Sequence, residues 1–142
     1  MLIAAILRTK GSEVVTVRPD TTVALLLTEL SRHNVGAVAV TEDGALVGIV
    51  SERDVVRGLD RHGPGLLTAP VSDIMTADVR TCAPGDTVEE VGEVMTRHRF
   101  RHVPVLSEGG LAGIVSIGDV VKSRLRVLEQ DRAQLEAYIH GP

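Results

Sequence analysis

The chain has 142 residues, 44% of them hydrophobic, with Phe100 and Tyr138 the only aromatics, so a core shared by Val, Leu, Ile and Ala on strands and helices is expected. A formal net charge of −4 offers no broad cationic face for a nucleic-acid backbone, which disfavours nucleic acid as a partner. Cys82 is the only cysteine, which excludes an intrachain disulfide framework and a thiolate zinc cluster and suits a reducing cytoplasm.

The apolar start, residues 1–7, is too short to span a membrane and lacks a basic segment with a small-residue cleavage site, so it is expected to form a docking helix over 3–7. No membrane association is expected. Residues 14–17 form a short apolar strand, after which Pro19, Asp20, Thr21 and Thr22 supply a turn and a helix N-cap. Val23, Leu26, Leu27 and Leu30 then fall on one helical stripe, and Asn34 and Gly36 stop the helix. Strands over 35–40 and 46–50 flank a Glu42-Asp43-Gly44 hairpin turn, and a helix starts near Ser51. Gly63, Pro64, Gly65 and Pro70 punctuate residues 60–70, and residues 71–75 read as a second short linker helix.

The remainder repeats this pattern at a constant offset of 65 residues. Thr16 aligns with Thr81, Pro19 with Pro84, Thr22-Val23 with Thr87-Val88, and Arg32-His33 with Arg97-His98; Gly48-Ile49-Val50-Ser51 aligns with Gly113-Ile114-Val115-Ser116, and Asp54-Val55-Val56 with Asp119-Val120-Val121. The second copy therefore has strands over 79–82, 102–106 and 111–115, a helix over 88–97, and a helix from about Ile117. That last helix keeps an apolar spacing through Val120, Val121, Leu125, Leu128, Leu135 and Ile139, so it runs past its counterpart. The fold class expected is mixed α/β (α+β), two β-α-β-β-α repeats over residues 1–66 and 67–142, with each linker helix covering the opposite repeat.

Two copies of a strand ending Gly-apolar-Val-Ser with an Asp three residues on, Gly48 to Asp54 and Gly113 to Asp119, resemble the tandem cystathionine-β-synthase (CBS) domain pair, as does Arg101-His102-Val103-Pro104-Val105. The resemblance covers essentially the whole chain. It implies a pseudo-twofold module with two clefts that binds an adenosine ligand such as AMP, ATP or NAD(H), regulates an effector protein, catalyses nothing and forms a homodimer. The implied ligand-binding set is Thr16, Ala37, Val38, Ser51, Arg53 and Asp54 in the first repeat. In the second it is Thr81, Arg101, His102, Val103, Pro104, Ser116, Ile117, Gly118 and Asp119.

The residue chemistry fits that implication. A carboxylate at a helix start can accept from both ribose hydroxyls, and free N–H groups there favour anions. Ser-x-x-Asp is equally a plain capping box. Arg101, with His102 and Arg53, is expected to hold phosphate, while Ala37, Val38, Val103 and Pro104 wall the adenine; the alternative for Arg97, Arg99 and Arg101 is a solvated basic face. His33 and His98 lack a second ligand at i+4 and read as helix-end residues, not metal ligands. Cys82 reads as a small buried hydrophobe. Two other functions compete with the sensor: a ligand-free dimeric adaptor, and a metal-dependent nucleotide hydrolase working through Asp54 or Asp119.

Overall fold

The computed structural model describes residues 1–11 and 13–141. Helix α1 (Ile3–Lys10) leads into strand β1 (Thr16–Val17), helix α2 (Val23–His33), strands β2 (Ala37–Glu42) and β3 (Ala45–Ser51), and helix α3 (Glu52–His62). Two 3₁₀ turns, Gly63–Thr68 and Val71–Asp73, join this half to helix α4 (Val88–His98), strands β4 (His102–Ser107) and β5 (Gly110–Ser116), and helix α5 (Ile117–Ile139). The architecture is the mixed α+β tandem expected from the repeat.

The repeat is preserved in pairing detail. In the first half β1 runs parallel to β2 through Val17–Val40, and β2 is antiparallel to β3. In the second half the parallel partner has shrunk to one bridge, Cys82 to Val105, which falls at the repeat-equivalent positions, so the strand expected over 79–82 is a single paired residue. Cys82 makes that bridge through its main chain, its N–H donating to the Pro104 carbonyl at 3.0 Å and its carbonyl accepting from Leu106 at 2.9 Å. Both hairpins slip register at the same place, between Val40 and Thr41 and between Val105 and Leu106. Each hairpin turns on a pair with positive φ, Asp43-Gly44 and Glu108-Gly109, which the tight turn requires.

Helix ends follow local chemistry. Thr22, Ser51, Thr87 and Ser116 each accept at the N-cap, and Asn34 and Arg99 close α2 and α4 in the left-handed conformation. Helix α1 extends to Lys10, one turn beyond the expected stop at residue 7, because Gly11 is the first residue that ends it. Residues 71–75 do not make a helix. Pro70 fixes an extended entry, and only the 3₁₀ turn Val71–Asp73 forms.

The linkers cross over. Ile3 and Ile6 of α1 are buried in the core of the second repeat with Val88, Val91, Met95, Val103, Val105, Val115 and Val120. Val71 is buried in the core of the first repeat with Val17, Val23, Leu26, Leu30, Val38, Val40, Val50, Val55 and Leu66. The main chain fixes both crossings: Val88 N–H donates to Met1 at 2.9 Å and Ile3 N–H to Asp86 at 2.9 Å, while Val23 N–H donates to Ala69 at 2.9 Å and Val71 N–H to Thr21 at 2.7 Å. Two repeat-equivalent glycines make room for the linkers. A Cβ on Gly48 would lie 2.7 Å from Met75 Sδ and 3.0 Å from the Thr76 carbonyl, and one on Gly113 would lie 2.6 Å from Leu7 Cδ2.

Candidate functional site

The two strand–helix junctions carry the same capping box. Ser51 N–H donates to Asp54 Oδ2 at 2.8 Å and Asp54 N–H to Ser51 Oγ at 3.4 Å; Ser116 N–H donates to Asp119 Oδ2 at 2.8 Å and Asp119 N–H to Ser116 Oγ at 3.1 Å. The capping role is therefore met in both repeats. Each aspartate spends Oδ2 on it, and among the described residues no hydrogen bond reaches either Oδ1, which leaves an acceptor oxygen at each helix start.

The free edges beside these junctions differ. Ile49, on the outer edge of β3, exchanges both main-chain hydrogen bonds with Thr76, at 3.0 and 2.9 Å. At the equivalent Ile114 on β5 the carbonyl instead accepts from Lys10 Nζ at 2.7 Å, and the same ammonium donates to Asp119 Oδ2 at 2.8 Å. Covered by Met75 and Thr76 on one side and bordered by a flexible lysine on the other, the halves are chemically unequal.

A cleft of about 370 Å³ opens on the Ile114 side. Both repeats build it: Val14, Val15, Asn34, Val35, Gly36 and Ala37 come from the first, and His102, Gly113, Ile114 and Ser116 from the second, with Leu7 and Lys10 of α1 at its floor and rim. Its volume lies in the range of small-molecule sites, and its lining is apolar with a few convergent polar groups. Gly36 and His102 face each other across the repeats; a Cβ on Gly36 would sit 3.6 Å from the imidazole.

Burial, and next the Lys10 ammonium, push the His102 pKa below its ordinary value, outweighing the pull of Asp119 and Glu52, so the ring is neutral at neutral pH. For Asp119, burial alone would raise the pKa, but the hydrogen bonds from Lys10 and from the Ser116 main chain outweigh it and hold the carboxyl below its ordinary value. Burial, reinforced by Asp86, pushes the Cys82 thiol up to about 11, which keeps it protonated and unreactive, in line with its place against the second core.

Of the residues expected at the ligand, Ala37, His102 and Ser116 line the cleft, and Asp119 stands behind Lys10. Ser51 and Asp54 meet each other at the other junction and do not line this cleft, although Ser51 pairs with the cleft residue Ala37. Val38 and Val103 do not line the cleft: strand alternation turns their side chains away from Ala37 and His102 into the two cores, where both are buried. Pro104 is buried as well and contributes its carbonyl to Cys82. Arg53 and Arg101 are exposed and stand outside the cleft; the Arg101 carbonyl accepts from Ile117 N–H at 2.8 Å. Thr16, Thr81, Ile117 and Gly118 are exposed and also outside it. His33 pairs with Glu29 at 3.2 Å one turn away, and His98 stacks on Phe100 at 5.9 Å. Among the described residues no group of three or more His, Cys, Asp or Glu could hold a metal ion, and no helix is long and apolar enough to cross a membrane.

Lys10 lines the cleft and was not among the residues expected there. Nothing in its own neighbourhood marks it. The usable signal is the linker crossing: a helix from residue 3 that covers the second repeat must deliver its last turn to that repeat's free strand edge.

Comparison with known proteins agrees with this geometry. The family model described as "CBS domain" matches residues 5–61 and 71–126. The chain is 38% identical over 127 residues to the CBS domain-containing protein CBSX3, mitochondrial, of Arabidopsis thaliana, covering 86% of this chain and 62% of that relative, so it spans less than two thirds of it. The crystal structure of a CBS-domain containing protein from Agrobacterium tumefaciens superimposes with a TM-score of 0.84 at 45% identity, covering 87% of this chain and 99% of the other. The CBS domain pair of protein MJ0100, solved in complex with 5′-methylthioadenosine and S-adenosyl-L-methionine, superimposes with a TM-score of 0.77 at 25% identity, covering 88% and 98%. A tandem of strand–helix repeats enclosing a shared cleft is the class of module that this fold defines. The chain belongs to the CBS-domain family, whose pairs are regulatory modules, some of them binding adenosine-derived ligands.

Proposed function

We propose that the protein is a regulatory module that binds an adenosine nucleotide, of the AMP, ATP or NAD(H) class, in the Ile114-side cleft and passes the binding event to a partner protein in a reducing cytoplasm. The observation that carries this reading is the cleft itself, built by both repeats and lined by Ser116, the N-cap residue of a long helix. Val35, Ala37 and Ile114 offer apolar walls for a base, and Ser116 and the α5 N-terminus favour the anionic end of a nucleotide. A ligand that touches both repeats can favour one relative arrangement of them, which is the physical requirement for signalling. The adenosine ligands of the MJ0100 pair support the chemical class.

We also propose that two copies pair through α5, whose apolar stripe is exposed in the single chain. The reading is tested by thermal shift of the purified protein with AMP, ADP, ATP, NAD, NADH and S-adenosylmethionine, with GTP as control, because a ligand that binds only the folded state raises its stability by mass action. A selective shift with one adenosine compound is expected. No shift with any of them supports the ligand-free adaptor instead, and conversion of ATP to ADP or AMP with Mg²⁺, seen by chromatography and lost in Asp119→Ala, supports a hydrolase.

A further inference from the structure

Lys10 ends α1 and reaches across to the second repeat, where its ammonium is held by Asp119 Oδ2 at 2.8 Å and by the Ile114 carbonyl at 2.7 Å. It lines two cavities: the main cleft, and a smaller one of about 60 Å³ shared with Asp119, Lys122 and Arg126. Asp119 lines the smaller cavity and Ser116 the larger, so the lysine stands between the cleft and the carboxylate that a ribose would use.

Taking Asp119 for a ligand has a consequence for the lysine. The Asp119 side chain is 17% exposed and that of Lys10 40%, so the pair is partly screened from water; a ribose diol that takes both carboxylate oxygens, the free Oδ1 and Oδ2, displaces the ammonium from Oδ2 and leaves it short of its hydrogen-bonded counter-charge. Retreat toward the smaller cavity brings it against the cationic Lys122 and Arg126. The cleft side holds neutral His102 and exposed Glu13; a pair with an exposed carboxylate is weak and does not replace the one lost. A neutral nucleoside brings only hydroxyls. A phosphate brings the missing anion, and the flexible four-carbon stem of lysine lets its ammonium swing to meet it.

We propose that Lys10 is the specificity-determining residue of this site: it yields Asp119 to a ribose when the ligand carries a phosphate that takes over the ammonium, so the cleft selects adenosine 5′-phosphates over adenosine. This rests on the nucleotide-binding reading above.

The test is titration calorimetry of the full chain and of Lys10→Met, Lys10→Gln and Lys10→Arg with AMP and with adenosine. The wild type is expected to bind AMP at least about tenfold more tightly than adenosine. In Lys10→Met and Lys10→Gln the two affinities converge to within about threefold, with adenosine bound no more weakly than by the wild type, and Lys10→Arg keeps the preference. Binding of both ligands with an unchanged ratio in Lys10→Met and Lys10→Gln overturns the role of Lys10 and leaves the nucleotide site standing. Binding of neither ligand to the wild type or to any variant overturns the nucleotide reading and this proposal with it.

Discussion

Lys10 and Asp119 lie 109 residues apart in sequence and meet at 2.8 Å, an ion pair that ties the first helix of the chain to the first turn of the last. The same carboxylate caps that turn through the Ser116 N–H, so Asp119 holds the helix start and the Lys10 ammonium at once. Its counterpart Asp54 caps α3 and does not line the open cleft.

Substitution separates capping from ligand binding. Asp119→Ala and Asp54→Ala each remove a capping box, and each is expected to lower stability by about 1 kcal/mol in urea unfolding. Only Asp119→Ala is expected to weaken AMP binding as well, by about 1.5–3 kcal/mol, the range for a hydrogen bond to a charged group. Calorimetry on the two variants checks this; equal effects on AMP affinity contradict the assignment of the site to the Ile114 side.

His102 gives the stability a pH dependence whose sign is fixed. Its folded-state pKa lies below the ordinary 6.5, so as the pH falls through 6.5 the unfolded chain takes up the proton first. Stability is therefore full above 6.5 and declines as the pH drops below it toward the folded-state value. Thermal unfolding from about pH 7.5 to about pH 5 should show the melting temperature falling with acidification, and His102→Gln should flatten that slope. An equal slope in the variant places the titrating group elsewhere.

The offset of 65 residues made most of this fold legible, because paired Gly-Ile-Val-Ser segments locate both third strands and both following helices. The serine caps were equally plain. Which side chains of β2 face the cleft and which the core was not legible, because Ala37 to Val40 are all apolar and all buried, a run with no polar alternation to read. The strand expected at 79–82 was lost to its setting: its main-chain pairing is confined to Cys82, between Pro104 and Leu106. Lys10 was illegible for a different reason, since its partners are long-range and arise only once α1 has crossed to the second repeat.

That crossing predicts the cost of two substitutions. Gly48→Ala would press on the Thr76 carbonyl as well as on Met75, whereas Gly113→Ala would press on the end of the Leu7 side chain. Overpacking of this kind costs about 1–3 kcal/mol. Gly48→Ala is expected at the upper end, because main chain held by two hydrogen bonds to Ile49 cannot step aside, and Gly113→Ala at the lower. Chemical denaturation of both variants checks the order; the reverse order means that the Met75–Thr76 segment is the softer of the two.

Residues 129–139, the second half of α5, are exposed along their whole length. Val121, Leu125, Leu128, Leu135 and Ile139 follow the alternating spacing of four and three that marks one face of a coiled coil, with Arg132 at the position in between, and Leu125 and Leu128 are 60% and 62% exposed. Arg132 turns to Glu136 on its own helix at 3.1 Å, which leaves the seam to the apolar residues. A stripe of this kind laid against its copy removes large apolar side chains from water, and charges placed in its centre oppose that directly. Light scattering is expected to give the wild type twice its chain mass of 15.1 kDa and Leu125→Glu/Leu128→Glu the single mass, with the circular dichroism of the repeats retained. A wild type at the single mass contradicts pairing outright, and a double variant that keeps the doubled mass moves the interface off α5 to another face of the module.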